Sequence, residues 1–538
     1  MSKVRLLARA ALAASLVPSV ALAQSVPTDR VLVPSGAPNG ANYGWSVDAD
    51  GVRLATGAYD ESSVAPEGGA AAIFARTPSG WVEEALLRPP TSQALGRFGW
   101  SVAIDGDRAA VGEPFRNGAA VSTGAVHLFE RVAGTWNHVV TLTASDATAS
   151  DGFGFAVDLD GDLLVVDSVL DDAVAPDGGA VYVFERDANG IWGEVAQFAG
   201  SATTTGASFG IDLAIEGERI AIGAPGESPS GAAYVFERDA QGVFVEAARI
   251  ALTGAPEDAA FGDAVALLGD RLLVGAPNDD ASSFATDTGS ARLFERDGSG
   301  TWSAVATLVP NELEKNARFG DSVALASDHA LVGRPRHGAF AHGDAWLFED
   351  LGAAGWALSV APGPFSGGES SGHFGTSAAF GDGFVVVGSP DTVANAVAGR
   401  TETLDLARLY RSWHEIDLGA GGNQRFHVRG GPELAGDVYL VLGSATGTSP
   451  ATQLPGSSVT IPLVVDAYTN LTLSLAAPIF APVGALDAAG RSDTSFLSVF
   501  PGTNPAFVGL VLRHALLVID PATFEVDTTN AVELTFRL

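Results

Sequence analysis

Apolar positions in this chain recur with a period of two. In Ser101-Val102-Ala103-Ile104 large and small residues alternate, as along a strand. Arg271-Leu272-Leu273-Val274 is a short apolar run of the kind buried on both faces of a sheet. Asp-Gly, Glu-Gly, Leu-Gly or Ala-Ser pairs separate two such segments, as in tight hairpins. This unit is written seven times. Each copy opens on an aromatic-glycine pair, at Tyr43, Phe98, Phe153, Phe209, Phe261, Phe319 and Phe374, spaced 52 to 58 residues apart. A second landmark follows 14 residues later in every copy: Gly57, Gly112, Asp167, Gly223, Gly275, Gly333 and Gly388. A third is typified by LFER at 128–131 and VFER at 183–186, and a Trp or Phe such as Trp136 or Phe244 then opens one more apolar stretch.

Each copy therefore predicts about four antiparallel strands, and no copy can bury both faces alone. Stacking the sheets radially solves that problem, so the pattern predicts an all-β fold with a seven-bladed β-propeller over residues 24–412. Glycine beside the aromatic lets the inner strands approach near the axis, while the aromatic wedges between neighbouring sheets. Residues 30–34 resemble the outer strand at 306–310 and are expected to complete blade seven; a loose tail is the alternative. From Trp413 the repeat stops. Short β patterns and turns such as Gly430-Gly431-Pro432 predict a β-sandwich over 413–538. His514, inside an apolar run there, reads as a core histidine.

The N-terminus adds a compartment. Lys3, Arg5 and Arg9 precede an apolar stretch at Ala10–Val20, and Ala21-Leu22-Ala23 supplies a small-x-small site. Residues 1–23 are expected to be a signal peptide cut between Ala23 and Gln24, giving an exported protein at the surface, in a periplasm or outside the cell. No later segment has about 18 uninterrupted apolar residues, so no membrane span is expected. There is no cysteine, which removes disulfides and thiolate chemistry. The formal charge is −33. That acidity argues against nucleic acid as a partner and leaves an extracellular protein or polysaccharide.

The motif Phe-Gly-x(12)-Gly-Ala-Pro stands complete at 209–225 and 261–277 and degrades elsewhere, as at Gly112-Glu113-Pro114 and Gly333-Arg334-Pro335. It resembles the FG-GAP repeat family, which includes the propeller of integrin α subunits. The resemblance implies a propeller and, more weakly, a recognition role. Calcium-binding blades of the integrin type carry an Asp-rich loop between strands one and two, and here that interval is short in all seven copies. Asp158-Leu-Asp-Gly-Asp162 therefore reads as a hairpin turn, too tight to wrap calcium.

The long, variable loops between strands two and three fall on one face, where binding is expected. Two of them are acidic: Asp171, Asp172 and Asp177, then Asp279, Asp280 and Asp287. Three carboxylates in one loop make calcium a candidate cofactor, against the plainer reading of a solvated turn. Blade six places Arg334, Arg336, His337 and His342 in one loop, with His373 entering the next blade. These are candidates for an anionic ligand such as a uronic acid, or for pairing with acidic neighbours. No Gly-x-Ser-x-Gly, His-Glu-x-x-His or Gly-Lys-Ser/Thr motif is present. The function expected is an exported binding or adhesion scaffold acting through this loop face. The alternatives are an enzyme acting on an extracellular, acidic polysaccharide and a structural envelope component.

Overall fold

The computed structural model describes residues 30–406, apart from 78, 253–255, 281–286, 311–313, 337–342, 353–354, 361–372 and 391–398, and beyond them strands between 415 and 535. The expected signal peptide and its cleavage site at Ala23 and Gln24 lie outside the described residues. Seven four-stranded antiparallel sheets make the propeller. In blade one the strands are Ser46–Asp50, Arg53–Ala58, Ala70–Thr77 and Gly80–Leu87, hydrogen-bonded in chain order. Strand two is an apolar run covered on both faces, whereas strand four alternates, as Thr135–Leu142 does in blade two. Blade seven is made of Ala378–Gly381, Phe384–Ser389 and Arg400–Asp405, with Arg30–Leu32 as its outermost strand. The core lies between blades: Ala55 and Ile73 of blade one pack with Phe98, Ile104 and Phe129 of blade two.

The aromatic-glycine pair is a turn. In six blades the N–H two residues after the aromatic donates to the carbonyl of the residue before it, at 3.1–3.2 Å, as Trp100 does to Arg97. Such a turn needs positive φ at its third residue, and Gly99 supplies φ 87°. A Cβ on Gly99 would also stand 2.2 Å from the Ala70 carbonyl oxygen of the preceding blade. The aromatic inside the turn is buried, and its backbone pairs in parallel with the preceding blade, Gly69 with Phe98 and Gly124 with Phe153. Tyr43 pairs with Gly399 in the same way and closes the ring, helped by a 3.0 Å bond from Ser377 Oγ to the Gly44 carbonyl.

The second landmark is glycine because neighbouring backbones meet there: a Cβ on Gly112 would lie 2.1 Å from the Gly154 carbonyl oxygen. Blade three carries Asp167 instead. Its inner strand, Phe153–Asp160, is bulged between Phe153 and Val157, and the buried Asp167 carboxylate accepts the Ala156 N–H at 2.6 Å. Burial pushes this carboxyl well above the usual range.

Innermost strands have one free edge, and carboxylates of the preceding blade satisfy it. Asp48 accepts from Ile104 N–H, Asp105 from Gly161, Asp158 from Ile215 and Asp212 from Val265, each at 2.7 Å. Asp160 accepts from Gly217, so the hairpin reading of Asp158–Asp162 holds and its acids staple blade three to blade four. The hairpin-turn face of the propeller carries a second repeated device. Arg219 and Arg296 both reach Glu237 and Asp270, and Arg108 and Arg186 both reach Glu130 and Asp162.

After residue 415, Asn423–Arg429 pairs with Glu415–Leu418 and with Arg491–Ser498. Separately, Val438–Ser444 lies between Val483–Ala485 and Val511–Ile519, which also pairs with Val526–Thr528 and Val532–Thr535. These strands are antiparallel; the sandwich expected over 413–538 rests on segments outside the described residues.

Candidate functional site at the mouth of the propeller axis

The acidic loops are built to hold themselves. Eighteen residues after the aromatic, Glu61, Asp171, Glu227 and Asp279 occupy one equivalent, buried position. The carbonyl there accepts the N–H of Gly69, Gly179, Gly231 or Gly289 and closes the loop. The carboxylate is spent inside the blade: Asp171 accepts from Tyr182 Oη at 3.0 Å, and Asp279 from Ser290 Oγ at 2.6 Å and Arg292 at 2.8 Å. One residue on, Asp172 and Asp280 accept the N–H of Asp177 and Asp287, which sit at φ 50° and 52°. Among the described residues no three His, Asp or Glu side chains are grouped as a metal ion would need. The carboxylates of Asp171, Asp172, Asp279 and Asp280 thus accept hydrogen bonds from within their own blades, as loop-forming aspartates do.

Arg334 is also turned inward. It is 1% exposed, donates from Nε to Asp344 at 2.8 Å and from Nη2 at 2.5 Å, and lies 5.1 Å from the Trp346 ring centroid. Its fork is engaged by a bidentate carboxylate, so blade six uses it as a strut rather than as a surface anion receptor. His337 and His342 lie outside the described residues. Arg336 is exposed and close enough to lower the pKa of Asp263, and His373 is half-buried at the start of blade seven's turn.

Those last two border a site that the loop composition does not announce. Two positions of the turn before each inner strand vary from blade to blade, one before the aromatic and one after the glycine. The first is left-handed in every blade: Asn42, Arg97, Gly152, Ser208, Ala260, Arg318 and His373. A non-glycine residue there costs about 1 kcal/mol or more. The second position reads Trp45, Trp100, Phe155, Ile211, Asp263, Asp321 and Thr376.

Blades one to three give an aromatic arc. Ring centroids of Trp45 and Trp100 are 5.1 Å apart, and those of Trp100 and Phe155 are 4.9 Å apart. Tyr59 and Phe115, which follow strand two, back this arc at 5.0 and 5.5 Å from Trp100. All five rings keep part of their surface open. The Arg97 guanidinium lies over Tyr59, Trp100 and Phe115 at 5.4, 5.7 and 5.1 Å.

Blades five and six give a charged arc. Arg318 reaches Asp263 at 3.2 Å and also bonds Asp321. In a sevenfold ring blade two stands opposite the seam of blades five and six, so the aromatic and charged turns belong to opposite sides of the ring. Burial, then the nearby Asp321 charge, pushes Asp263 up to about 7 against the pull of Arg318. Farther along the axis Asp212 is pushed up to about 6 by burial, and Asp48 and Asp158 are raised by burial and by like charge.

Sequence reasoning passed over this site because it ranked loops by length and charge. The available signal was the residue after each Phe-Gly pair, where seven registered copies diverge from Trp to Asp while the pair itself barely changes.

The FG-GAP repeat family profile matches residues 81–129, 136–184, 192–236, 244–294 and 302–348, each match running from the outer strand of one blade to the third strand of the next. No curated protein matches the sequence. A crystal structure of a protein from Lactobacillus plantarum is similar over 70% of this chain and 92% of that one, at 12% identity and a TM-score of 0.42. Five matched repeats within seven registered blades carry the conclusion: the chain is an FG-GAP repeat β-propeller protein.

Proposed function

We propose that this protein is an exported ligand-binding scaffold whose recognition site is the axial mouth. The fold is that of a binding scaffold, and one observation supports the placement. At the two turn positions flanking the aromatic-glycine pair the repeats differ in residue type, while the pair itself recurs in all seven blades. Half-open aromatic rings beside fixed charges are the surface that specific binding uses. The Asp171 and Asp279 carboxylates and the Arg334 guanidinium already have partners within the blade, which favours the mouth over them as the primary site.

The test is retention of the full-length chain on chitin, cellulose and collagen-coated surfaces, comparing wild type with the Trp45→Ala/Trp100→Ala double variant. Retention by wild type and its loss in the double variant, with unfolding still cooperative, supports the mouth. Equal retention of both puts recognition elsewhere, and failure to bind any of the three contradicts the scaffold reading for these ligand classes. Soluble product released from a polysaccharide would make the protein an enzyme.

A further inference from the structure

Resting on the mouth as the binding site, we infer that its ligand is the neutral ring of a carbohydrate, stacked on Trp100 and hydrogen-bonded by the Asp263, Arg318 and Asp321 trio. Two observations converge. The aromatic arc offers adjoining, half-open ring surface from Trp45, Trp100 and Phe155, suited to the apolar C–H face of a pyranose. The opposite arc holds acceptors and donors side by side, because Arg318 bridges two carboxylates. A vicinal diol, in which each hydroxyl both gives and accepts, matches that alternation.

Charge then narrows the class. An anionic ligand such as a uronic acid meets the Asp321 carboxylate at the mouth, beside Asp263. A cationic ligand meets the Arg97 guanidinium, which already lies over three of the five aromatic rings, and then Arg318 and Arg336. Bringing a second like charge into a partly desolvated site is unfavourable for either sign. A neutral polyol with one apolar face escapes both penalties. Of the blade-six residues that suggested an anionic ligand, Arg334 is bonded to Asp344.

The experiment is calorimetric titration of the full-length chain with four probes: cellohexaose, chitohexaose, hexagalacturonic acid and hexa-lysine. A neutral hexasaccharide is expected to bind saturably and to quench tryptophan fluorescence, while the two charged probes bind at least about tenfold more weakly, equivalent to about 1.4 kcal/mol. Trp100→Ala and Asp321→Asn should each weaken the neutral ligand by about tenfold or more, Trp100→Phe should restore part of it, and Trp302→Phe on an outer strand should leave it unchanged. Circular dichroism of each variant separates lost binding from lost fold. Binding of hexa-lysine or hexagalacturonate alone, abolished in Trp100→Ala, overturns the carbohydrate inference and leaves the mouth standing. Neutral binding that survives both Trp100→Ala and Asp321→Asn overturns the mouth itself. No binding by either neutral probe overturns the carbohydrate inference.

Discussion

The two faces of this propeller solve opposite problems with the same seven repeats. On the hairpin-turn face one set of residues recurs: Arg108 and Arg186 about Glu130 and Asp162, then Arg219 and Arg296 about Glu237 and Asp270. The two seams need the same thing, neutralised charge between adjacent sheets, and receive the same answer. On the loop face the turn backbone is just as regular, yet its outward side chains run from Trp100 through Ile211 to Asp321. Within a repeat array, sameness of residue marks what assembly demands. Difference at a registered position marks what assembly leaves free.

The deepest way to break the comparison is to disturb assembly beneath the loop face. Asp344→Ala removes the carboxylate that engages the fork of the buried Arg334 and should cost about 3–5 kcal/mol in denaturant unfolding. Gly112→Ala forces a methyl group against the Gly154 carbonyl and should cost about 1–3 kcal/mol, more than Gly106→Ala on the open hairpin turn. Both variants should keep ligand binding under conditions where they remain folded.

Trp100→Ala should do the reverse. It exposes little new core, so unfolding should shift by about 1–2 kcal/mol while ligand affinity falls by about tenfold or more. A smaller effect comes from pH. Asp263 and Asp212 hold protons in the folded state up to about 7 and about 6, against an ordinary value of 3.8. Between those limits the folded state binds more protons than the unfolded one, so their contribution is full below about pH 4 and is lost as pH rises through 6 to 7. The melting temperature of Asp263→Asn should therefore fall less than that of wild type between pH 4 and pH 7. Smallest is the ionic belt: Arg219→Ala should cost less than about 1 kcal/mol, and less still at high salt, because its partners are partly open to water.

The blades were legible because period-two alternation, a fixed 14-residue interval and turn glycines are local signals that sterics enforce. The strand Arg30–Leu32 sits outermost in blade seven, where the likeness of 30–34 to 306–310 had pointed. The site was less legible. Asp171 and Asp279 look like ligands in sequence because nothing local reveals that Tyr182 and Arg292 will consume them from the adjoining strand. Trp45 and Trp100 lie 55 residues apart and look like core until neighbouring turns bring them to one mouth. Contacts that ring closure creates have no linear signature; register among the copies is the nearest substitute.

The most direct single measurement sets one face against the other: affinity for the best-bound neutral hexasaccharide in Trp100→Ala and in Arg219→Ala, titrated side by side with wild type. The account predicts a loss of about tenfold or more for the mouth variant and wild-type affinity for the belt variant. Wild-type affinity in Trp100→Ala, or an equal loss in both, would contradict it.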